Sequence, residues 1–369
     1  MITSFDVSKD WIILIPENVS SARKAAEDLC HYINLLRKQS NFPEATIPIK
    51  ENISDNDMYP ILLNIFEEDK NNWEKNGFSW RIGKERIEIN GESDRGIFNG
   101  IYNFLSAVGF SWSDIDQETL PPINKESPYE YLLKESYAYH PSSQDTIRRR
   151  LLIGRQEMPK NWKSLIYWAV RNQIDIVVLS LQSIELKSKD FFQQKTIAKQ
   201  IQSALDLLKE YALDIEFGGW DLSILVPRNF FSNKEILRID AGKRDRKHNF
   251  CPTAPETIKL IKSNATKFFK SHPEVRIYHF WPDQGYEKAW CSCPTCRAFT
   301  IEEQNRIAVN AVADALEKVN PKGRISYYEN PPRKESIALR SLLFRVNCLP
   351  GEAEAETNGW FLPPPTNLS

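Results

Sequence analysis

Two kinds of apolar periodicity organise the N-terminal part of the chain. Trp11 to Ile15 (WIILI) is a continuous apolar run of strand length, and Ile61 to Ile65 (ILLNI) is a second. Between them Ala22, Ala25, Ala26, Leu29, Ile33 and Leu36 fall on one face of a helix, with Arg23, Lys24, Glu27 and Asp28 on the other. Ser20 and Ser21 can cap it. Phe78 to Ile82 and Arg86 to Asn90 read as a hairpin turning across Gly83-Lys84. A second helix begins near Ser93 and gathers Ile97, Ile101, Phe104, Leu105 and Val108 on one face. It stops at Gly109, a residue free to take the left-handed conformation that ends helices. Strand, helix, strands, helix is the order of a small α+β layer, expected over residues 1–125. His31 reads as a surface residue within the first helix, and Cys30 as an ordinary thiol.

Pro121-Pro122 and the polar run to Pro128 read as a linker. From about residue 135 to about 350 the two periods alternate. Ser136 to Tyr139, Ile174 to Leu181, Leu213 to Phe217, Val275 to Trp281 and Ile325 to Tyr328 are strand-like. Trp162 to Asn172, Asp190 to Tyr211, Pro255 to Phe269 and Glu302 to Val319 are helical. Repeated βα units imply a parallel sheet, and five or six in succession favour a (β/α) TIM-type barrel over an open doubly wound sheet. No G-x-G-x-x-G follows a strand, which weighs against a dinucleotide fold. After Glu329 the pattern degrades. Only about a dozen residues, Pro331-Pro332 among them, separate the Tyr327 strand from Leu342 to Cys348, which is short for a return helix. Six strands at most are legible where a full barrel has eight. The expectation is α/β: a small α+β domain, then an incomplete, truncated barrel, then a disordered tail over residues 351–369.

Charge narrows the partners. Lys+Arg number 48 and Asp+Glu 49, so the net charge is -1 and no nucleic-acid or anionic-membrane partner is expected. Arg148-Arg149-Arg150 and the basic residues from Lys243 to Lys247 read as solvated faces. There is no run of 18 apolar residues. The N-terminus lacks the basic region of a signal peptide, so as written the chain reads as cytoplasmic. In that compartment the 6 cysteines are free thiols or metal ligands rather than a disulfide framework. Nothing in the sequence sets an oligomeric state.

The chemistry concentrates in VRIYHFWPDQGYEKAWCSCPTCR, Val275 to Arg297. Pro282 ends the strand, because proline has no amide proton for a sheet ladder. Asp283 follows at the strand tip, then Gln284, Tyr286, Trp290, Cys291, Cys293 and Cys296. In a barrel, active groups sit at the carboxyl ends of strands, a rule that also selects Glu216, Trp220 and Asp221 after the preceding strand and Glu329-Asn330 after the following one. Asp283 is read as a catalytic or substrate-binding carboxylate, with a structural loop cap as the plain alternative. Trp220, Trp281, Tyr286 and Trp290 could stack on a ligand, and filling the barrel mouth explains them equally well. His279 reads as a satisfied core histidine. Three thiols within six residues suit a soft cation such as zinc, and Cys251, in the loop after the neighbouring strand, is the best fourth ligand. Zinc leads over an internal disulfide and free thiols, and its role would be structural; no cofactor is expected to be required for catalysis.

Two stretches carry a resemblance. INGESDRGIFNGIYNFLSAVGFSW, with Gly91, Arg95, Gly96, Gly100, Tyr102, Phe104, Leu105 and Gly109, resembles the end of the small domain that precedes the barrel in β-hexosaminidases and α-glucuronidases. LDIEFGGWDLSILVPRNFF, HNFCPTAPE and HFWPDQGYEKAWCSCPTCR resemble the barrel of a glycosidase-like family known as domain of unknown function 4838. The resemblance implies a glycoside hydrolase-like protein acting on an N-acetylhexosamine-containing or related glycan, by substrate-assisted hydrolysis. It also implies adjacent acids after the fourth barrel strand, where this chain has Asp283 but Gln284, which gives up no proton. Either Glu216, Asp221 or Glu287 supplies the acid, or the protein is an inactive carbohydrate-binding remnant. Trp220 stands where the family has histidine.

Overall fold

The computed structural model describes residues 2–52, 59–66, 76–139, 148–153, 161–180, 204–220, 222–226, 250–273, 275–282, 290–291, 293–329, 337–346 and 358–363. In the first unit the elements are β1 (Ile2–Asp6), β2 (Trp11–Leu14), α1 (Ser20–Gln39), β3 (Ile49–Lys50), β4 (Tyr59–Ile65), β5 (Phe78–Ile82), β6 (Ile87–Gly91) and α2 (Asp94–Val108). The hairpin β7 (Ser111–Asp114) and β8 (Gln117–Thr119) leads to β9 (Glu130–Lys134) and β10 (Ser136–Tyr139).

The apolar stripes of α1 and α2 are buried as their spacing predicts. Ser93 caps α2, accepting from the Gly96 amide. α1 begins differently from expectation. Its N-cap is Val19, with no side-chain cap, and Ser21 Oγ instead donates to Asp94 Oδ1 at 2.6 Å, tying the starts of the two helices together. Gly96 lets α2 lie against the sheet, since a Cβ there would stand 2.5 Å from the Gly77 carbonyl. A six-stranded sheet runs β10-β5-β6-β4-β2-β3, with the β3, β2, β4 and β6 neighbours parallel and the β5 and β10 pairings antiparallel. The segment Ser136 to Tyr139, expected in the barrel, is therefore the edge strand of the first sheet, and β9 pairs with β1. The first unit extends past the expected boundary because both strands return to it.

The second unit comprises β11 (Arg150–Ile153), α3 (Trp162–Arg171), β12 (Ile176–Leu179), a helical stretch at 204–210, β13 (Asp214–Gly219), α4 (Pro255–Ser271), β14 (Ile277–Phe280), α5 (Ile301–Val319), β15 (Arg324–Tyr328), β16 (Leu343–Val346) and β17 (Trp360–Phe361). Thr300 and Glu303 form a reciprocal capping box at the start of α5. Seven strands make one wholly parallel sheet in the order β17-β11-β12-β13-β14-β15-β16. The last strand lies beside the first, which is how a barrel closes, but no β16–β17 pairing is present among the described residues. The fold is an incomplete (β/α) barrel. Two expectations change. β11 lies under residues read as a solvated basic run, and the proline-rich end expected to be disordered contributes β17.

Alternation along the strands sorts the barrel into two faces. Leu151, Ile153, Val177, Leu179, Phe217 and Tyr278 pack into the main core with the helices. Leu152, Ile176, Val178, Trp281, Val346 and Trp360 form a second cluster inside the curl of the sheet. The two units meet at Asp175, just before β12. Its carboxylate accepts from Asn76 and Asn99 of the first unit at 2.8 and 3.0 Å and from the Arg149 amide at 3.0 Å. Arg95, from the motif that carried the first resemblance, reaches from α2 to the carbonyls of Val170 and Tyr211. Burial pulls its guanidinium down to about 10 while Asp175 pulls the other way.

Candidate functional site

The barrel interior holds one connected polar network. Arg150 of β11 grips Glu216 of β13 with two hydrogen bonds, Nε to Oε2 at 2.8 Å and Nη2 to Oε1 at 3.2 Å. His279 of β14 places Nε2 2.7 Å from Glu216 Oε2, and its Nδ1 meets Ser326 Oγ of β15. Trp281 Nε1 donates to the same serine oxygen at 3.0 Å. An ionised Glu216 can only accept, so Nε2 carries the proton, and in the neutral ring Nδ1 accepts from the Ser326 hydroxyl. Burial lowers the His279 pKa against the pull of Glu216, so the imidazole is neutral. Burial also resists ionising Glu216, but the Arg150 charge and the His279 hydrogen bond win and hold it at about 2. A proton donor near neutral pH requires the opposite environment. Glu216, expected as a candidate acid, is buried and held ionised in this arrangement.

Glu329 is also committed elsewhere. It is 3 % exposed and takes a two-pronged ion pair from Arg306 of α5, at 2.7 and 3.0 Å.

At the carboxyl end of β13 the backbone turns through Gly218 and Gly219, both at positive φ (116° and 143°). A Cβ on Gly218 would lie 1.9 Å from the His279 carbonyl oxygen, so only glycine lets β13 lie this close to β14 here. The turn delivers Trp220, which is partly exposed, edge-on to Trp281 at 5.4 Å and 83°. Trp281 itself is 0 % exposed, wedged between Trp220 and Trp360, the latter at 5.0 Å. It has no face to offer a sugar, and its expected stacking role gives way to packing. Trp290 is likewise buried, edge-on to Phe250 at 5.9 Å. Asp221, Asp283, Gln284, Tyr286 and Glu287 lie outside the described residues.

The four cysteines converge. Cys251 lies ahead of α4, and Cys291, Cys293 and Cys296 lie between β14 and α5, yet their sulfurs are all within 4.8 Å of one another and buried. Cys251 Sγ is 3.5 Å from Cys296 Sγ and 3.9 Å from Cys293 Sγ. The backbone amides of Cys293 and Cys296 point at the sulfurs of Cys291 and Cys293, each at 3.5 Å. Thr253 Oγ1 stands 3.1 Å from Cys296 Sγ. Gln304 of α5 fixes the knuckle by accepting from the Cys291 amide at 3.1 Å and donating to the Cys296 carbonyl at 3.3 Å. Hydrogen bonds from Cys291 and Cys296 favour the thiolate at Cys251. The Cys251 hydrogen bond pushes Cys291 up, and Cys296 up to about 12.

The residues missed from sequence are Arg150 and Ser326, the partners that close the interior network. The only signal was the alternation Arg148, Arg150, Leu152 leading into an apolar run, which is the period of a strand with an inward face.

No protein-family model matches the chain, and no curated protein matches it in sequence. Solved structures do share its fold. It is similar to a chitobiase from Flavobacterium johnsoniae at TM-score 0.55 and 13% identity, over 89% of this chain and 50% of that one. The β-N-acetylhexosaminidase of Bacteroides fragilis matches at 0.52 and 14%, over 94% and 68%. The glycoside hydrolase family 20 β-N-acetylhexosaminidase of Streptomyces coelicolor matches at 0.51 and 13%, over 90% and 68%. The chain spans about half the length of the first of these. It has a glycosidase-like fold. No helix among the described residues is long and apolar enough to cross a membrane.

Proposed function

We propose that this chain is the glycosidase-like part of a protein that acts on N-acetylhexosamine-containing or related glycans, and that it belongs with the family known as domain of unknown function 4838. The observation that carries this reading is strand count. With β11 in place, β14 is the fourth strand of the parallel run, and Asp283 follows its end by three residues. That is where the resembled barrels keep the carboxylate that orients the substrate acetamide. Asp283 then orients or binds the sugar, Trp220 contributes a partly open ring, and no cofactor takes part in the chemistry. With Glu216 held ionised and Gln284 unable to donate, the leaving oxygen must be protonated by Asp221 or Glu287.

Those same two facts favour a second reading, a barrel that binds carbohydrate without cleaving it. Release of chromophore from an aryl β-N-acetylglucosaminide, together with N-glycan digestion, separates the two. Turnover by the wild type that falls ~100-fold or more in Asp283→Asn supports the hydrolase. A folded, monodisperse protein with no turnover, but with calorimetric binding of N-acetylglucosamine oligomers that is lost in Trp220→Ala, replaces it with the binding reading. Full activity in Asp283→Asn rules out the role given to that carboxylate.

A further inference from the structure

We propose that Cys251, Cys291, Cys293 and Cys296 form a closed tetrathiolate site for one zinc ion, and that this ion staples the loops after β13 and β14 across the barrel mouth. The geometry is that of a tetrathiolate metal site. Zinc–sulfur bonds of about 2.3 Å place the sulfurs of a regular tetrahedron about 3.8 Å apart, and the measured separations are 3.5 and 3.9 Å, with all four sulfurs within 4.8 Å of one another. A disulfide would engage only two of these four sulfurs. Free thiols pack singly as small apolar residues, but packing gives no reason for four of them, between 0 % and 5 % exposed, to converge from two separate loops.

The surroundings suit a thiolate cluster. Four thiolates around a divalent cation leave a net double negative charge, which needs donors. The amides of Cys293 and Cys296 and the Thr253 hydroxyl supply them directly. Cys251 lies four residues before the first residue of α4 and Cys296 five before that of α5, so the positive ends of two helix dipoles are near in the chain. All four ligands come from protein, which leaves no position for water. The ion is therefore structural and takes no part in bond cleavage.

Its effect is mechanical. Cys251 is fixed to the segment after β13 and the other three to the segment after β14, so zinc ties together the two loops that emerge beside Trp220 and Trp281. Two hydrogen bonds made by one residue, Gln304, carry the same constraint into α5.

The test uses the full chain purified without chelator. Elemental mass spectrometry is expected to find one zinc per chain. An organomercurial should release it in step with titration of four thiols, read by a chromophoric metal indicator. Cobalt exchanged into the site should show thiolate charge-transfer bands and the visible spectrum of a tetrahedral ion. Cys293→Ser should lose the metal while Cys30→Ser keeps it. Should Cys293→Ser fail to fold, the wild-type mercurial titration decides alone. If the metal was lost in purification, the reduced protein should take up zinc with a Kd of ~1 nM or tighter. Less than about half an equivalent of metal together with no uptake at ~1 µM zinc overturns the proposal. So does finding that the sulfurs are oxidised to disulfides, unreactive until a reductant is added.

Discussion

Glu216 inside the barrel and Cys251 at its rim are both buried, yet the two groups are completed in different ways. Around Glu216 the protein supplies every donor itself: a guanidinium from β11, an imidazole from β14, and behind that a serine and an indole. Charges cancel within the network and the protons have definite places. Around Cys251 the partners are three more thiols, which compete for the same few protons and offer no positive charge. A buried polar group with closed valences belongs to the scaffold. One that closes only when a cation arrives marks a site. The contrast explains why an acid at a barrel strand is not thereby an active-site acid, and it separates an interior closed on itself from the rim proposed to hold zinc.

The largest expected effect comes from emptying the rim. Structural zinc is bound with apparent free energies of ~10 kcal/mol or more, so a strong chelator should lower the thermal midpoint of the wild type by many degrees and open the chain to protease near residues 250 and 296. Zinc added back should restore both. The interior should be indifferent to the same treatment, so Arg150→Met should shift the midpoint by a similar amount with zinc bound and with zinc stripped. A chelated protein melting within about 1 °C of the untreated one would remove the distinction drawn for the rim.

Breaking the interior is the next largest effect. Arg150→Met leaves the Glu216 carboxylate buried without its cation, and uncompensated buried charges cost about 3–5 kcal/mol. Adding Glu216→Leu removes the stranded charge, so the double variant should recover most of that loss in urea unfolding. Additive losses would show that Arg150 acts through packing on Trp360, over whose ring its guanidinium also lies at 5.6 Å, rather than through Glu216.

The pH dependence is smaller and has a definite sign. Glu216 titrates at about 2 in the fold against an ordinary 4.5, so its contribution is complete above about 4.5 and is lost as pH falls toward 2. For this buried group that amounts to about 3 kcal/mol. His279 is held below its ordinary 6.5, so the unfolded chain takes a proton first, and stability begins to fall once pH drops below about 6.5. Unfolding free energy followed from pH 7 to 3 should therefore decline in two stages. In His279→Gln the upper stage should vanish while the lower remains; a decline that stayed unchanged would assign it to other groups.

The companion domain was legible because its helices carry apolar stripes, and a stripe reports its own burial through local spacing. The barrel strands β12 to β16 were legible for the same reason. What stayed hidden was set by partners far along the chain. Arg148, Arg149 and Arg150 look like a solvated run until Asp214 and Glu216, 66 residues on, are brought beside the first and third of them. Trp360–Phe361 is a strand only because β11 is there to pair with it. Ser136 to Tyr139 has the composition of any short strand, and only its pairing with β5 says which sheet it joins. The cysteines are the intermediate case. Their C-x-C-x-x-C spacing spoke for itself, and Cys251 could be chosen because a loop after the adjacent strand is within reach. The choice of Asp221 and Asp283 is a reading of strand order.

The smallest effect is the sharpest probe of how the rim is built. Thr253 Oγ1 lies 3.1 Å from Cys296 Sγ and 3.5 Å from Cys251 Sγ, so it touches two ligands without being one. When the sulfurs are thiolates, its hydroxyl proton donates to one of them and draws off part of the charge that zinc must otherwise balance. Thr253→Val keeps the shape and removes only that proton. A partner of this kind is worth about 10–100-fold in metal affinity, while the lost hydrogen bond should cost the fold no more than about 1 kcal/mol. Zinc release to a competing indicator should thus be faster by roughly the lower end of that range, ~10-fold, with the zinc-bound unfolding midpoint hardly moved. Were the cysteines merely core thiols, the isosteric change would leave reagent access to all four unaltered and there would be no release to time. A change in release without a change in fold is an outcome that only a metal-centred rim allows.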